Sequence, residues 1–167
     1  METIRQFIAG NTHLFRNCKI RVENPSNGTT IYPVIVPLFE MLLMNILTNA
    51  MKYNASGNPS VDISLEPGEH ALLIRFRDNG VGILKEDRKR IFKKFYRGHS
   101  NDLATIGGSG IGLYLVQQIA RLHHGKVFVE SEGPGKGSVF TLILPKKTPK
   151  GDMDETDREI ADPHYRG

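Results

Sequence analysis

In the stretch FEMLLMNILTNAMKYN, residues 39–54, an apolar run is interrupted by two amides, Asn45 and Asn49, with Lys52 and Tyr53 close behind. A buried amide costs roughly 1–3 kcal/mol for each partner it lacks, so two of them in such a run ask for a use. Side chains three and four apart share a helix face. That gathers Asn45, Asn49, Lys52 and Tyr53 into one polar strip and leaves Leu38, Leu42, Ile46 and Ala50 on the opposite, core-facing strip. An amide oxygen is a hard, neutral ligand of the kind Mg²⁺ accepts beside waters and phosphates, and a lysine one turn on would lie near the same phosphates. A plain polar helix face accounts for the strip equally well.

Two other stretches carry chemistry. In RDNGVGI, residues 77–83, Asp78 ends a strand, and Gly80 and Gly82 let backbone come close to a ligand or adopt positive φ. A carboxylate there could accept from the exocyclic amine of adenine, although Asp-Asn-Gly is also an ordinary turn. In GGSGIGLYLVQQIA, residues 107–120, a glycine loop runs directly into a helix. Orphan backbone N–H groups and the positive end of the helix dipole make such a junction an anion site. It is neither a dinucleotide fingerprint, since a long polar loop precedes it, nor a Walker loop, since no Lys-Ser/Thr follows.

The elements that must hold these residues alternate helices with hairpins. Residues 3–15 have apolar positions at helical spacing, and KIRVEN at 19–24 alternates as a strand does before the turn PSNG. A helix runs from about Pro37, a good first-turn residue, to Tyr53. VDISLE and ALLIRFRD, joined by PGEH, read as a hairpin. A charged helix is expected over 85–96, with Ile91, Phe92 and Phe95 on its apolar side, then a polar loop over 97–110. A second long helix spans 111–123 with Gly125 as its stop, and the strands KVFVESE and SVFTLILP close the fold. The tail from Lys146 has few apolar residues and reads as disordered. About three helices and five strands, with connections too short for helical crossovers, argue an α+β two-layer sandwich rather than a doubly wound sheet.

With 167 residues the chain has the size of one domain. Its single Cys18 forms no internal disulfide and belongs to a reducing, cytosolic setting. The longest apolar run, near residues 31–47, is broken by Pro33, Pro37, Glu40 and Asn45, too polar for a bilayer span. The net charge is +4 and the basic residues are spread along the chain, with one dense group at Lys85, Arg88, Lys89, Arg90, Lys93, Lys94 and Arg97. Such a local cluster suits a solvated face, an anionic ligand or an acidic partner better than nucleic acid.

In this order the motifs resemble the GHKL ATP-binding superfamily, and within it the catalytic and ATP-binding domain of two-component sensor histidine kinases. NILTNAMKY is similar to the N box, DNGVGI to the G1 box, IFKKFYRG to the F box and GGSGIGL to the G2 box, and the likeness spans roughly residues 19–145. It implies a Bergerat fold, a mixed and mostly antiparallel sheet backed by about three helices, binding ATP and Mg²⁺. It further implies that Asn49 ligates Mg²⁺, that Asn45 and Lys52 arrange metal and phosphates, and that Tyr53 borders the base. Asp78 would read the adenine amine, with Gly80, Gly82 and Ile83 as the floor, and Gly108, Gly110, Ile111, Gly112 and Leu113 would flank the phosphates. Residues 84–107 would form a mobile lid packed by Phe92 and Phe95, with Arg97 available to a phosphate or a docked partner.

Hydrolytic members of the superfamily place a glutamate one turn before the metal-binding asparagine; here Asn45 stands there and cannot take a proton at neutral pH. The resemblance therefore implies phosphoryl transfer to a histidine rather than hydrolysis. His13 in THLFRN lacks the acid and proline that accompany the family's acceptor, His99 falls in the lid, and His123 and His124 end a helix. The acceptor is thus expected on a dimerisation domain outside this chain, with residues 1–18 as linker, 19–145 as catalytic domain and 146–167 as tail. A response regulator downstream, a homodimeric parent and a cytoplasmic domain of a parent that some family members anchor in the membrane complete the expectation. The departures are the missing aspartate before the N-box helix, in YPVIVP, and Ser138 where threonine is usual. Two alternatives stay open: a nucleotide-binding module without transfer, and a protein-serine kinase of the anti-sigma type.

Overall fold

A computed structural model describes residues 2–23, 32–98 and 108–146. The elements are α1 (Glu2–Gly10), α2 (Thr12–Phe15), β1 (Lys19–Glu23), α3 (Val36–Lys52), β2 (Ser60–Pro67) and β3 (Ala71–Asp78), followed by α4 (Gly112–Leu122), β4 (Lys126–Glu130) and β5 (Ser138–Pro145). The strands form one sheet in the order β1-β2-β3-β5-β4. β1 runs parallel to β2 and every other pair is antiparallel. This is the expected α+β two-layer architecture with a mixed, mostly antiparallel sheet.

Strict alternation builds the inner face. Val61, Ile63 and Leu65 of β2, Leu72, Ile74 and Phe76 of β3, and Phe140, Leu142 and Leu144 of β5 are all buried. On this face Ile63 pairs with Phe76, which in turn pairs with Phe140. The same period of two carries Asp78 inward at the end of β3, opposite Ser138 at the start of β5. A carboxylate therefore stands where another core residue would be.

α3 and α4 cover that face. α3 buries Phe39, Leu42, Leu43, Ile46, Leu47 and Ala50, and α4 buries Val116, Ile119 and Ala120. The stripe on α3 is wider than the expected Leu38–Leu42–Ile46–Ala50 strip, and Leu38 is only half-buried, because α3 packs against α1 and α4 as well as against the sheet. Pro37 does stand in the first turn. Residues 2–15 divide into two helices at Asn11, whose Nδ2 donates to the Phe7 carbonyl at 2.8 Å. Phe7 and Phe15 then meet with ring centres 6.1 Å apart, and Ile4, Phe7 and Phe15 join the common core while Leu14 is left exposed.

The charged stretch 85–96 is not a helix but a succession of turns. Tertiary contacts override its helical pattern. The Tyr96 hydroxyl donates to Asp87 Oδ1 at 2.5 Å, whereas on an α-helix residues nine apart lie on opposite faces about 13 Å apart along the axis. Phe95 takes a left-handed φ of 63° and donates its N–H to the Gly110 carbonyl at 3.0 Å. The expected turn PSNG at 25–28, residues 99–107 of the expected loop over 97–110 with His99, and the tail beyond Lys146 lie outside the described residues.

Candidate functional site

Between α3, the turn segment 84–98, α4 and the ends of β3 and β5 lies a cavity of about 140 Å³, roughly ten times the room a single buried water needs. Its wall includes Asn49 from α3 and Tyr53 just after it, Asp78, Ser138 and Phe140 from the sheet, and Leu113 from α4. Asp78 Oδ1 accepts from the backbone N–H of Gly80 at 2.8 Å and of Ser138 at 3.1 Å. Burial raises the Asp78 pKa above the ordinary carboxylate value, and those two backbone donors partly offset the rise. Both bonds fall on the same oxygen, so Oδ2 has no protein partner among the described residues. A carboxylate so placed accepts a hydrogen bond from a ligand without having to give one up.

The glycines around Asp78 are required by close approach. Gly80 packs against the Tyr53 carbonyl, where an added Cβ would stand 2.6 Å from its oxygen. Gly82, at φ 75°, lies against the Gly133 carbonyl so tightly that any Cβ would overlap it. Val81 N–H donates to Tyr53 O at 2.8 Å, Gly135 N–H to Val81 O at 2.7 Å, and Gly137 N–H to Gly80 O at 3.1 Å. Ser131 Oγ, itself buried, accepts from Ile83 N–H at 3.0 Å and donates to Gly137 O at 2.7 Å. The loop after β3 and the loop before β5 thus interlock through their backbones beside the cavity.

At the other end, α3 meets the start of α4. Asn45 Nδ2 donates back to the Met41 carbonyl at 2.8 Å, and its Oδ1 faces Gly112, where an added Cβ would stand 2.7 Å away. Asn49 Nδ2 lies 3.9 Å from the same point, and Gly108 abuts the Lys52 ammonium, which also sits 5.3 Å over the Tyr53 ring. Two amides, a lysine and the glycine-rich N-terminus of α4 therefore converge. Among the described residues no cluster of three His, Cys, Asp or Glu could hold a metal. The donor set suits an ion that takes most of its ligands from phosphate and water.

The family model for histidine kinase-, DNA gyrase B- and HSP90-like ATPases matches residues 34–148. The chain belongs to this family. It is of the ATP-binding catalytic-domain type found in sensor histidine kinases. The sensor-like histidine kinase SenX3 of Mycobacterium tuberculosis is 34% identical over 148 residues, covering 89% of this chain and 35% of SenX3. The chain thus spans about a third of the length of that relative. The mycobacterial sensor histidine kinase MprB superposes with a TM-score of 0.72 at 23% identity, covering 89% of this chain and 96% of that one. The histidine kinase ThkA, in complex with the response regulator protein TrrA, superposes with a TM-score of 0.68 at 23% identity, covering 87% of this chain and 40% of ThkA. At these identities the two structures speak for the fold.

Within this histidine kinase-like ATPase domain the expected site residues, Ile111 and Phe92 apart, divide into three groups. Asn49, Tyr53, Asp78, Gly82, Ile83, Arg97 and Leu113 line the cavity. Asn45, Lys52, Gly108 and Gly112 gather where α3 meets the start of α4, and Gly80 and Gly110 act through their backbones. Ile111, half-buried, stands just before α4. Phe92 is a core residue, 6% exposed and edge-on to Phe140 at 6.5 Å, and is absent from the cavity wall. Phe95, expected to pack the lid, is instead 64% exposed under the Lys94 ammonium, because its left-handed backbone turns it outward.

Several residues of the site were not singled out from the sequence. Asn79 Oδ1 accepts from Asn54 Nδ2 at 2.7 Å and from Ser60 N–H at 2.8 Å, fastening the loop after β3 to the end of α3. Ser131 continues the inward alternation of Val127 and Val129, a signal that could have marked it. Asp87 and Tyr96 are brought together by turns that carry no local pattern. His123, expected as a dipole-favoured helix end, accepts from Ile35 N–H on Nε2 at 2.9 Å and donates from Nδ1 to Ile119 O at 2.8 Å. Its ring thereby caps α3, which has no side-chain cap of its own.

Proposed function

We propose that this domain binds Mg²⁺-ATP with its base in the cavity beside Asp78 and its phosphates at the Asn45–Asn49–Lys52–Gly112 junction. It then delivers the γ-phosphoryl to a histidine on a dimerisation domain outside this chain. The reading is carried by one observation: a half-buried carboxylate, held by two backbone N–H groups on one oxygen, lines a cavity together with Asn49 of α3 and Leu113 in the first turn of α4. Asn49 would hold Mg²⁺, which supplies charge neutralisation between the phosphates. Asn45 and Lys52 support the same phosphates, and the protein contributes position and charge complementarity rather than covalent chemistry. With Asn45 one turn before Asn49, that position offers an amide in place of a carboxylate base to activate water. The bond from phosphorus to the ADP oxygen therefore breaks only as a P–N bond to an imidazole forms.

On this reading residues 1–18 lead in from the dimerisation domain and the parent protein is a homodimeric kinase whose catalytic part is cytoplasmic. Among the described residues no helix is long and apolar enough to cross a membrane. A response regulator as the next recipient is supported by the ThkA–TrrA complex, whose kinase shares this fold. Calorimetry of the purified chain with ATP, with and without Mg²⁺, tests the binding half: Asn49→Ala is expected to abolish the Mg²⁺-dependent part of the affinity. Radiolabelled ATP mixed with this chain and a separately expressed histidine-bearing dimerisation domain tests the transfer half. Acid-labile label should appear on that domain, with little phosphate released in its absence; rapid phosphate release without the acceptor would refute the reading.

A further inference from the structure

Six residues of the cavity wall, Leu84, Asp87, Ile91, Tyr96, Arg97 and Gly98, come from a segment with no regular secondary structure. The backbone bonds within the segment are short-range: Asp87 N–H to Leu84 O, Arg90 and Ile91 N–H to Asp87 O, Lys93 N–H to Arg90 O and Tyr96 N–H to Lys93 O. Such turns do not by themselves hold the two ends of the segment at a fixed separation. The Tyr96 hydroxyl donating to Asp87 Oδ1 at 2.5 Å does, since it joins residues nine apart. Asp87 is 3% exposed, and the Arg90 guanidinium covers the Tyr96 ring at 4.7 Å. Phe92 roots the middle of the loop in the core against Phe140, and Phe95 ties it to Gly110. A charge-assisted bond to a carboxylate this buried is strong and directional.

We propose that Asp87 and Tyr96 are a positioning pair: their bond closes the 87–96 loop and so sets the wall that faces the purine, controlling how tightly the base is held without acting on the phosphates. The proposal deepens the nucleotide reading above and rests on the cavity being the base pocket. Burial, and then the bond to Asp87, raise the Tyr96 pKa, so the donor keeps its proton throughout the neutral range.

The test is calorimetry with ATP, ADP and adenosine on the purified chain and four variants: Tyr96→Phe, Asp87→Asn, Asp87→Leu and the double variant Tyr96→Phe/Asp87→Leu. Tyr96→Phe keeps the ring and its packing and loses the donor, so it is expected to weaken all three ligands by about tenfold, the scale of one hydrogen bond to a charged group. Asp87→Asn retains an acceptor oxygen but loses the charge, so it is expected to weaken binding less than Tyr96→Phe does. Asp87→Leu should weaken binding as Tyr96→Phe does, and the double variant should be no weaker than either single one. Melting curves run alongside: a pair that merely stabilised the fold would lower the melting temperature and leave the affinities unchanged, and that result overturns the proposal. Losses that add in the double variant, or that appear with ATP and vanish with adenosine, overturn it too. If Asp87→Leu fails to fold, the comparison of Tyr96→Phe with Asp87→Asn and the unaltered chain decides. If the unaltered chain binds none of the three ligands, the nucleotide reading falls and takes the pair with it. If it binds them and Tyr96→Phe binds as well, only the pair falls.

Discussion

Asp78 combines two opposed demands in one side chain. Its position in the alternation of β3 points it inward with Leu72, Ile74 and Phe76, where ionisation is costly, yet an acceptor for an amine is useful there only with its charge or lone pairs intact. Because burial raises its pKa above the ordinary 3.8, the ionised form destabilises the folded chain. The associated stability is fully present below the unfolded-state value and is lost as pH rises through the folded-state value. Asp78→Asn removes that cost and keeps an oxygen for Gly80 and Ser138. The variant is therefore expected to be more stable than the unaltered chain in urea denaturation at neutral pH, with the two midpoints converging as the pH falls toward the carboxylate range. The same variant should bind ATP more weakly and discriminate less against GTP in competition titrations; unaltered discrimination would remove Asp78 from base recognition. ATP affinity of the unaltered chain should begin to fall, on acidification, at a higher pH than an ordinary carboxylate would give.

At the scale of elements, periodicity and turn chemistry account for what was legible. The hairpin β2–β3, the two long helices and strand β5 were readable because each repeats a period of 2 or 3.6 over eight or more residues and ends on a Pro or Gly signal. The motif residues Asn45, Asn49, Asp78 and Gly112 were readable for the same reason: each sits at the end or on the face of such an element. Residues 85–96 were not, because their apolar positions fit a helix while Phe92, Phe95 and Tyr96 are each claimed by a partner far away in sequence or on the wrong face. The interlocked loops were illegible too, since Ser131 and Gly82 meet only in three dimensions. Ser131→Ala is expected to cost about 1–3 kcal/mol in denaturant unfolding, the range for leaving a buried donor unsatisfied, here the Ile83 N–H. Gly82→Ala should cost more, since its Cβ meets backbone at a left-handed φ. A neutral effect of both would mean that the two loops are not held together as described.

Across the whole molecule, the residues that would touch one nucleotide come from five separate places: Asn49 on α3, Asp78 at the end of β3, Ile91 in the turn segment, Leu113 on α4 and Ser138 at the start of β5. No stretch of the unfolded chain carries that arrangement, so a nucleotide recognises the folded state alone and its binding free energy adds to stability. At a free Mg²⁺-ATP concentration a hundredfold above the dissociation constant the gain is about 2.7 kcal/mol, which for a chain of this size corresponds to a rise of roughly 5–10 °C in melting temperature. GTP at the same concentration should raise it less, since the Asp78 acceptor meets a carbonyl where adenine offers an amine. In Asn49→Ala the rise should no longer depend on Mg²⁺, whereas in Asp78→Asn it should shrink for ATP from a higher starting temperature. Thermal melts of the three proteins with each nucleotide separate base recognition from metal-assisted phosphate binding in one experiment. Equal rises from ATP and GTP in the unaltered chain would leave Asp78 without a role in choosing the base.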